Sequence, residues 1–462
     1  MRVVSAERLG QVLSALPRTA RVVAGGNFAT PWQALAALDA AVAEYRLFML
    51  NAQAGVPDRD GVTLETPFVG PGMRGRDRLR YFPCRLSLVP VLLASALPPD
   101  VVLVHTSAPA GGTVSLGTEV NVLPAAIEAA RARGGLVIAQ LNPRMPYTHG
   151  DAVLDTGQID YAIEADVMLP SPPPRPPSAV SAAIGDRVAA LVPAGATLQL
   201  GIGAVRCRPG RADHPARRSP GVVGDVLRRR AGPDKAGALD LGHPVIASFA
   251  FDSAELYGWM DRNPRVRMLR TETTNDPAQI ERRPNLVSVN SALQVDLFAE
   301  ANACRVQGKI YSGFGGQTDF VVGALHSPGG LAVIALPSWH PKADVSTVVP
   351  RLTGPVTSFQ HSFIVSDQGT AAIWGHDASG QAEQMITQVA HPRVRGELRE
   401  AGRARLPRLG PADPAAEGPT GSGLGIYPSL GTPRFAGPMS KPITASVRRD
   451  PGDVLFPPGP SA

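Results

Sequence analysis

Two periodicities of apolar positions follow one another along the first part of the chain. Continuous apolar runs at residues 101–104 (VVLV) and 136–139 (LVIA) are typical of strands buried on both faces of a parallel sheet. Helical periodicity at residues 6–16 and 123–133 fills intervals between such runs. This strand–helix–strand order predicts an open α/β sheet with right-handed crossovers.

Local signals extend the prediction to the rest of the chain. Thr30 before Pro31 predicts a helix that has Thr30 as its N-cap and Pro31 as its first residue. In the second half, five apolar runs predict the strands of another sheet, at residues 245–251, 265–271, 286–289, 331–336 and 363–366.

Changes of composition divide the chain. The proline-rich run PSPPPRPP at residues 170–177 predicts an extended connection between domains. After about Leu406 the sequence is rich in Pro, Gly and Ser and has no periodicity, so it cannot bury enough apolar surface to order itself. We therefore predict an α/β domain at residues 1–180, a second at 181–406, and a disordered tail at 407–462.

Residues 206–232 break the second domain with arginine, proline and glycine in no sustained pattern. Two interpretations remain open, a locally shifted reading frame and a basic insertion loop. Either one predicts a poorly ordered segment without core contacts.

Composition excludes several classes of protein. The net charge of +6 comes with only 18% charged residues, and no nucleic-acid-reading motif accompanies it, so a nucleic-acid partner is not expected. Three cysteines without metal-like spacing indicate free thiols in a reducing compartment, and we expect no metal site. No run approaches the ~18 apolar residues that span a bilayer. A cytoplasmic protein without a membrane segment is therefore expected.

The stretch from Leu286 to Gly323 carries the strongest signs of function. Polar residues in Asn290-Ser291-Ala292-Leu293-Gln294-Val295-Asp296 follow a buried apolar strand, and burying them unpaired would be costly. The stretch ends on Gly313-Phe314-Gly315-Gly316-Gln317, whose glycines let backbone amides approach a ligand closely.

The pattern SxNSAxxVDL followed by Gly-Gly-Gln-x-Asp-Phe resembles the acetyl-CoA hydrolase/transferase family, class I CoA-transferases that include 4-hydroxybutyrate CoA-transferase. Further motifs that resemble this family are Asn27-Phe28-Ala29-Thr30-Pro31, Gly70-Pro71-Gly72-Met73-Arg74, Ser115-Leu116-Gly117, Asn142-Pro143-Arg144-Met145-Pro146, Leu198-Gln199-Leu200-Gly201-Ile202-Gly203 and Ala390-His391-Pro392. The resemblance covers roughly residues 1–205 and 233–405. At residues 206–232, relatives instead carry a helix and a Glu-Met-Phe-Ser-Asp-Gly-like stretch.

The resemblance implies two open-sheet α/β domains of the CoA-transferase type, with the active site on the second. It places the catalytic position at Gln294, where the family usually has a glutamate that attacks the acyl-CoA thioester. An amide is a poor nucleophile. Gln294 is therefore inert, or orients a water for hydrolysis, or marks a subgroup that uses another acid. The candidate acids are Asp296, Asp319 and Glu272, although Asp296 is more simply explained as an anchor for neighbouring backbone.

The resemblance also implies the groups that bind coenzyme A. The thioester pocket and the CoA groove are expected from Leu269, Arg270, Thr271, Glu272, Thr273 and Gly369, and the acyl and pantetheine side from Gly315, Gly316 and Gln317. Lys342 is a candidate phosphate contact. For each glycine alone, an ordinary turn is the simpler explanation, and His340 and His391 are not spaced as metal ligands.

Two functions follow as hypotheses. The first is an enzyme of acetate metabolism that transfers CoA between a short acyl-CoA and a small carboxylate, or hydrolyses acetyl-CoA. The second is an acyl-CoA-binding pseudoenzyme that lacks the nucleophile. In both, coenzyme A is a substrate or ligand and no further cofactor is expected. The expected partners are these small molecules, with a homodimer possible and no membrane or nucleic acid.

Overall fold

The computed structural model describes residues 1–171, 176, 178–201, 222–223, 243–404 and 406. Its first large sheet has eight strands, and every neighbouring pair is parallel. Their order across the sheet is Arg2–Val3, Tyr161–Glu164, Leu136–Leu141, Val101–Thr106, Ala20–Ala24, Tyr45–Phe48, Val62–Thr66 and Leu79–Tyr81.

A second large sheet comes mostly from the later part of the chain. It is parallel except for the hairpin formed by its last two strands in sequence. Its order is Thr370–Ala372, Phe363–Val365, Leu331–Ala335, Leu286–Ser291, Thr197–Leu200, Val222–Val223, Val245–Ala247, Val266–Met268 and His149–Gly150. Because the last of these precedes residue 180, the first part of the chain contributes an edge strand to the second sheet.

The remaining elements are helices and short ribbons. The α-helices span Ala6–Leu13, Trp32–Ala41, Val89–Ala94, Leu123–Arg131, Ala179–Leu191, Ala254–Met260, Thr271–Thr274, Pro277–Ile280, Gln317–His326, Ala378–Gln384 and Arg395–Arg403. The described residues also form one π-helical turn, Met385–Val389, and 3₁₀ turns at Leu86–Leu88, Thr156–Gln158 and Pro392–Val394. Short ribbons pair Thr113–Ser115 with Val153–Asp155, Gln294–Asp296 with both Ala301–Asn302 and Val348–Val349, Arg305–Val306 with Lys309–Ile310, and Trp339–His340 with Val345–Ser346. None of the described helices is both long and apolar enough to cross a bilayer.

Burial explains why the apolar runs form strands. All four residues of the run at 101–104 are fully buried, as expected for a central strand covered on both faces. One apolar cluster joins Val102 and Val104 of the first sheet to Val287 and Val333 of the second. The predicted α/β class with open parallel sheets is confirmed.

The predicted N-cap of the second helix was wrong. The helix begins at Trp32 with Pro31 as its cap residue. Oγ1 of Thr30 is buried and has no hydrogen-bond partner among the described residues. Instead, Oε1 of Gln140 on the neighbouring strand accepts from the backbone N–H of Gln33 at 2.8 Å and of Ala34 at 3.4 Å. A tertiary contact thus caps a helix end that the local sequence assigned to Thr30.

Several predictions concern residues that the structure does not describe or describes only in part. The expected disordered tail at 407–462 lies outside the described residues, as does most of the proline-rich connection. Of residues 206–232, only Val222–Val223 is described, as a strand inside the second sheet. The domain boundary near residue 180 stays a prediction.

Candidate functional site

Each large sheet changes winding direction at one strand. From Ala20–Ala24 the chain adds strands towards Leu79–Tyr81, and then returns to add Val101–Thr106 and its successors on the other side. In the second sheet, the same reversal occurs between Thr197–Leu200 and Leu286–Ser291. In open α/β sheets, ligands bind outside the carboxyl ends of the strands at such a reversal.

A cavity of about 200 Å³ lies where these two carboxyl edges meet. Asn27 follows the switch strand of the first sheet, and Gly201, Asn290 and Ser291 mark the switch of the second. The rest of its wall is formed by Leu50, Asn51, Phe68, Leu86, Asn121, Phe249, Ala303, Ser312, Gly313, Phe314, Gly315, Gly316 and Gln317. The cavity therefore combines an apolar lining with side-chain amides, and none of the described residues in its wall carries a carboxylate.

A buried carboxylate orients the amides of this wall. Glu119 is 3% exposed and accepts from Nδ2 of Asn27 at 2.8 and 2.7 Å and from Nδ2 of Asn121 at 2.8 Å. Nδ2 of Asn51 in turn donates to Oδ1 of Asn27 at 2.9 Å. Because a carboxylate only accepts, both amide nitrogens must point at Glu119. Oδ1 of Asn121 is left buried without a hydrogen-bond partner among the described residues, so it can accept from a ligand.

The loop that holds Glu119 joins the two sheets. The backbone N–H groups of Val120 and Asn121 donate to Ser248 O at 2.9 and 3.0 Å, directly after the strand Val245–Ala247. The Thr271 N–H donates to Asn121 O at 3.1 Å. The amide network is thereby fixed to both sides of the cavity.

The glycine-rich loop closes the cavity against the first sheet. Gly313 pairs with Phe68, and Gly315 pairs with Arg85. Gly315 has a φ of +57°, a conformation that glycine adopts without steric cost. A Cβ on Gly313 would lie 2.2 Å from the Pro67 carbonyl oxygen, so only glycine allows this approach. These glycines are required by the junction rather than by an isolated turn.

Gln317 begins the helix after this loop and is tied to buried groups behind it. Its Nε2 donates to Oγ of Ser358 at 2.7 Å, and this oxygen lies 2.9 Å from Nε2 of His361. Nδ1 of His361 lies 3.0 Å from Ala299 O. Burial lowers the pKa of His361 to about 4, so the imidazole is neutral at pH 7.

Two buried neutral histidines predict acid sensitivity. Burial also lowers the pKa of His105 to about 4, against about 6.5 in an unfolded chain. Between these values the unfolded state binds protons that the folded state does not, so the free energy of unfolding decreases as pH falls from about 6.5 to 4. We expect a loss of about 3 kcal/mol per histidine over this range. Urea unfolding at pH 7, 6, 5 and 4 measures this loss. A substitution of His361 should make the free energy of unfolding less dependent on pH, and an unchanged dependence would contradict the assignment to His361.

Of the predicted site residues, Gly315, Gly316 and Gln317 line the cavity. Gln294 does not belong to its described wall. It is half-buried on the strand Gln294–Asp296, three residues after Ser291, and pairs with Asn302. The catalytic assignment of Gln294 stays a prediction.

The segment Leu269 to Thr273 lies beside the cavity without lining it. The Arg270 guanidinium pairs with Glu128 at 2.7 Å and with Glu272 at 2.6 Å, and these contacts raise its pKa. Thr271 and Thr273 belong to the short helix Thr271–Thr274. Both charged side chains of the segment, Arg270 and Glu272, are thus engaged with each other.

Gly369 lies in another part of the structure. A Cβ there would meet Gln388 O at 2.6 Å, which explains the glycine by close packing on the π-helical turn. The neighbouring Asp367 accepts from the backbone N–H of Ser338 at 2.6 Å and from its hydroxyl at 3.1 Å. In this structure Asp367 anchors a loop.

The alternative acids have structural partners. Asp296 accepts from the backbone N–H groups of Phe298, Glu300 and Leu352 at 3.0–3.1 Å. Asp319 accepts from the Ser87 backbone at 3.0 Å and hydroxyl at 2.6 Å, which fastens the helix Gln317–His326 to the first sheet's loop. These contacts support anchoring roles for both carboxylates. No group of metal-ligating side chains occurs within the described ranges.

The part of the wall formed by Asn27, Asn51 and Asn121 was not predicted from the sequence. Asn27, Asn51 and Asn121 all have positive φ, at 44°, 47° and 37°, a conformation in which asparagine is enriched. Asn27 and Asn51 each follow the carboxyl end of a strand. An asparagine shortly after each of two consecutive apolar runs is the signal that would have pointed to this edge.

Comparison with known proteins gives concordant matches. Residues 61–171 match the acetyl-CoA hydrolase/transferase N-terminal domain, and residues 253–402 match the C-terminal domain of the same family. The chain is 34% identical to the 4-hydroxybutyrate coenzyme A transferase of Clostridium kluyveri, over 70% of this chain and 76% of that one. The structure resembles RipA from Yersinia pestis, with a TM-score of 0.78 at 27% identity, covering 87% and 97% of the two chains. A 4-hydroxybutyrate CoA-transferase from Porphyromonas gingivalis gives a TM-score of 0.72 at 27% identity, covering 88% and 98%.

Proposed function

We propose that this chain, which belongs to the acetyl-CoA hydrolase/transferase family, acts on short acyl-CoA thioesters, either transferring CoA to a small carboxylate such as acetate or releasing it by hydrolysis. The observation that carries the proposal is the cavity at the meeting of two switch points, whose wall combines side-chain amides with apolar residues. Ligand sites of enzymes combine these features.

The size of the cavity supports a short acyl group. Its volume of about 200 Å³ equals the volume that about six or seven molecules occupy in liquid water. The cavity therefore holds a similar number of non-hydrogen atoms. Such a space accommodates a thioester oxygen and sulfur with an acyl chain of a few carbons. Phe68, Phe249 and Phe314 supply apolar surface for the acyl chain, and the side-chain amides can hydrogen-bond to the polar thioester end.

One assay tests the proposed function. Purified protein is given acetyl-CoA with and without acetate, propionate or butyrate, and free CoA and new acyl-CoA are measured. Hydrolysis releases free CoA without an acceptor, whereas transfer makes a new acyl-CoA only when the matching acid is present. Tight CoA binding with neither product would identify the pseudoenzyme, and absence of both binding and turnover would contradict the proposal.

We also propose Gln294 as the position of the family's nucleophilic glutamate. Gln294→Glu is nearly isosteric and supplies a carboxylate that is ionised at pH 7. We expect at least a tenfold gain in transferase rate and a covalent CoA adduct that borohydride traps and mass spectrometry places at residue 294. Gln11→Glu is the control, because Gln11 is exposed on the helix Ala6–Leu13 and its Oε1 already accepts from the Arg8 guanidinium at 2.8 Å.

The position of Gln294 sharpens this test. Because Gln294 lies outside the described cavity wall, an adduct at residue 294 requires the thioester to reach beyond the space defined above. Absence of any gain, or an adduct on another acid of the native protein, would show that residue 294 is not the nucleophile position.

The proposal also covers the setting of the enzyme. It includes coenzyme A as a substrate with no further cofactor. It includes a cytoplasmic location, which the free thiols of Cys84 and Cys304 support because reducing compartments preserve thiols. It includes a homodimer, for which light scattering should report twice the mass of one chain. A groove bearing Phe359, 55% exposed, and Trp374, 65% exposed, supports such an interface.

A further inference from the structure

A chain of hydrogen bonds leads from the cavity wall into the core. It begins at Gln317, passes through Ser358 and His361, and ends on the carbonyl of Ala299. Gln317 is 8% exposed, Ser358 is 2% exposed and His361 is fully buried. Only the first member of the chain belongs to the cavity wall.

The terminal carbonyl fixes the direction of every hydrogen bond in the chain. Ala299 O can only accept, so Nδ1 of His361 carries the proton and donates. The neutral ring then has an unprotonated Nε2, which accepts from the Ser358 hydroxyl. The Ser358 oxygen is left to accept from Nε2 of Gln317. The amide nitrogen of Gln317 is thereby held on the core side, and its carbonyl oxygen is available to a ligand.

The helix start is fixed independently of this chain. Thr318 Oγ1 donates to Thr357 O at 2.9 Å, which holds the helix Gln317–His326 against the 357–358 segment. The glycine-rich loop before it is pinned by Gly313 on Phe68. What remains free at Gln317 is the rotation of its side chain, and Ser358 constrains that rotation.

We propose that Ser358 and His361 are positioning residues that set the rotamer and amide orientation of Gln317, so that Oε1 of Gln317 accepts a hydrogen bond from an amide N–H of the pantetheine arm of CoA. This inference rests on the proposed function. The unpartnered Oδ1 of Asn121 in the same wall gives the cavity a second acceptor, which suits a ligand segment that carries N–H donors.

A double-mutant cycle tests whether Ser358 acts through Gln317. We expect Ser358→Ala to raise the KM for acyl-CoA and the calorimetric Kd for free CoA about tenfold, with kcat changed less than threefold. In a Gln317→Ala background the same substitution should change either value less than twofold. Equal effects in both backgrounds would overturn the proposal. The matched control is Ser95→Ala, because Ser95 bonds only its own helix at Val91 O on the surface of the first half.

Two substitutions of His361 separate positioning from simple anchoring. Gln can place an acceptor near the position of Nε2, and Asn can place a donor near the position of Nδ1. We expect His361→Gln to keep the KM within about threefold of the native value and His361→Asn to match Ser358→Ala. The reverse order would show that only the contact with Ala299 matters and would overturn the proposal. Thermal unfolding of each variant identifies any effect that arises from loss of fold.

A spectroscopic measurement does not depend on turnover. Protein labelled with ¹⁵N-histidine should show His361 as the neutral Nδ1–H tautomer at pH 7, and a charged ring or the other tautomer would overturn the proposal. Native protein without CoA binding or thioester turnover would instead contradict the proposed function, and the pantetheine contact with it. If the native protein is active but the effects of Ser358→Ala and Gln317→Ala on KM and Kd are additive, only the positioning role would be contradicted.

Discussion

Glu119→Gln is expected to lower kcat/KM for acyl-CoA at least tenfold and the free energy of unfolding by about 2–3 kcal/mol. The carboxylate accepts from Nδ2 of Asn27 and Nδ2 of Asn121 in a nearly fully buried site. A glutamine at this position turns an amide nitrogen towards one of these donors, which leaves two donors facing each other. The unpaired amide reorients, and the cavity wall changes with it.

Urea unfolding and steady-state kinetics measure the two losses. Glu44→Gln is the control, because Glu44 makes an exposed ion pair with Arg18 whose contribution is small. Adding Asn121→Asp to Glu119→Gln restores a donor–acceptor match. The carboxylate of residue 121 can accept from the amide nitrogen of residue 119, and Asn27 can donate to the amide oxygen of residue 119. We expect the double variant to regain part of the lost stability. Native stability in the single variant would show that Glu119 does not organise the wall.

The fold could be predicted from the sequence where local periodicity and burial agree. Runs such as residues 101–104 are apolar because both faces of their sheet are covered, so the pattern alone identifies the strand. The edge strand His149–Gly150 carries no such signal, because two residues are too few to show a periodic pattern. Its place in the second sheet is set by tertiary pairing with Arg267 and Met268.

The site was predictable only in part, for a similar reason. Gly315 lies in a glycine-dense run that is visible in the sequence, and the family resemblance implied a role for Gln317. Glu119 gives no local signal, because its role depends on Asn27, which lies 92 residues earlier in the chain. His361 likewise gains its role from Ala299, 62 residues away. Only the packing of the chain brings these groups together.

Gly313→Ala is expected to cost about 3 kcal/mol of stability and to abolish most CoA binding. Its Cβ would lie 2.2 Å from Pro67 O and 3.0 Å from Cα of Phe68, both of which are backbone atoms that cannot rotate away. The Val69 N–H also donates to Ser312 O at 3.0 Å across the same junction. Relief of the clash must therefore separate the two segments that carry Phe68 and Gly315, and overpacking of this kind typically costs ~1–3 kcal/mol or more.

Gly396→Ala is the matched control for this substitution. Gly396 lies in the helix Arg395–Arg403, and a Cβ there meets nothing within 4 Å. Because alanine is the better helix former by up to ~1 kcal/mol, the control should be neutral or slightly stabilised. Urea unfolding and calorimetric CoA binding distinguish the two variants. If Gly313→Ala matched the control in both, the loop and the first sheet would not be held at the observed separation, and the cavity between them would lose its structural basis.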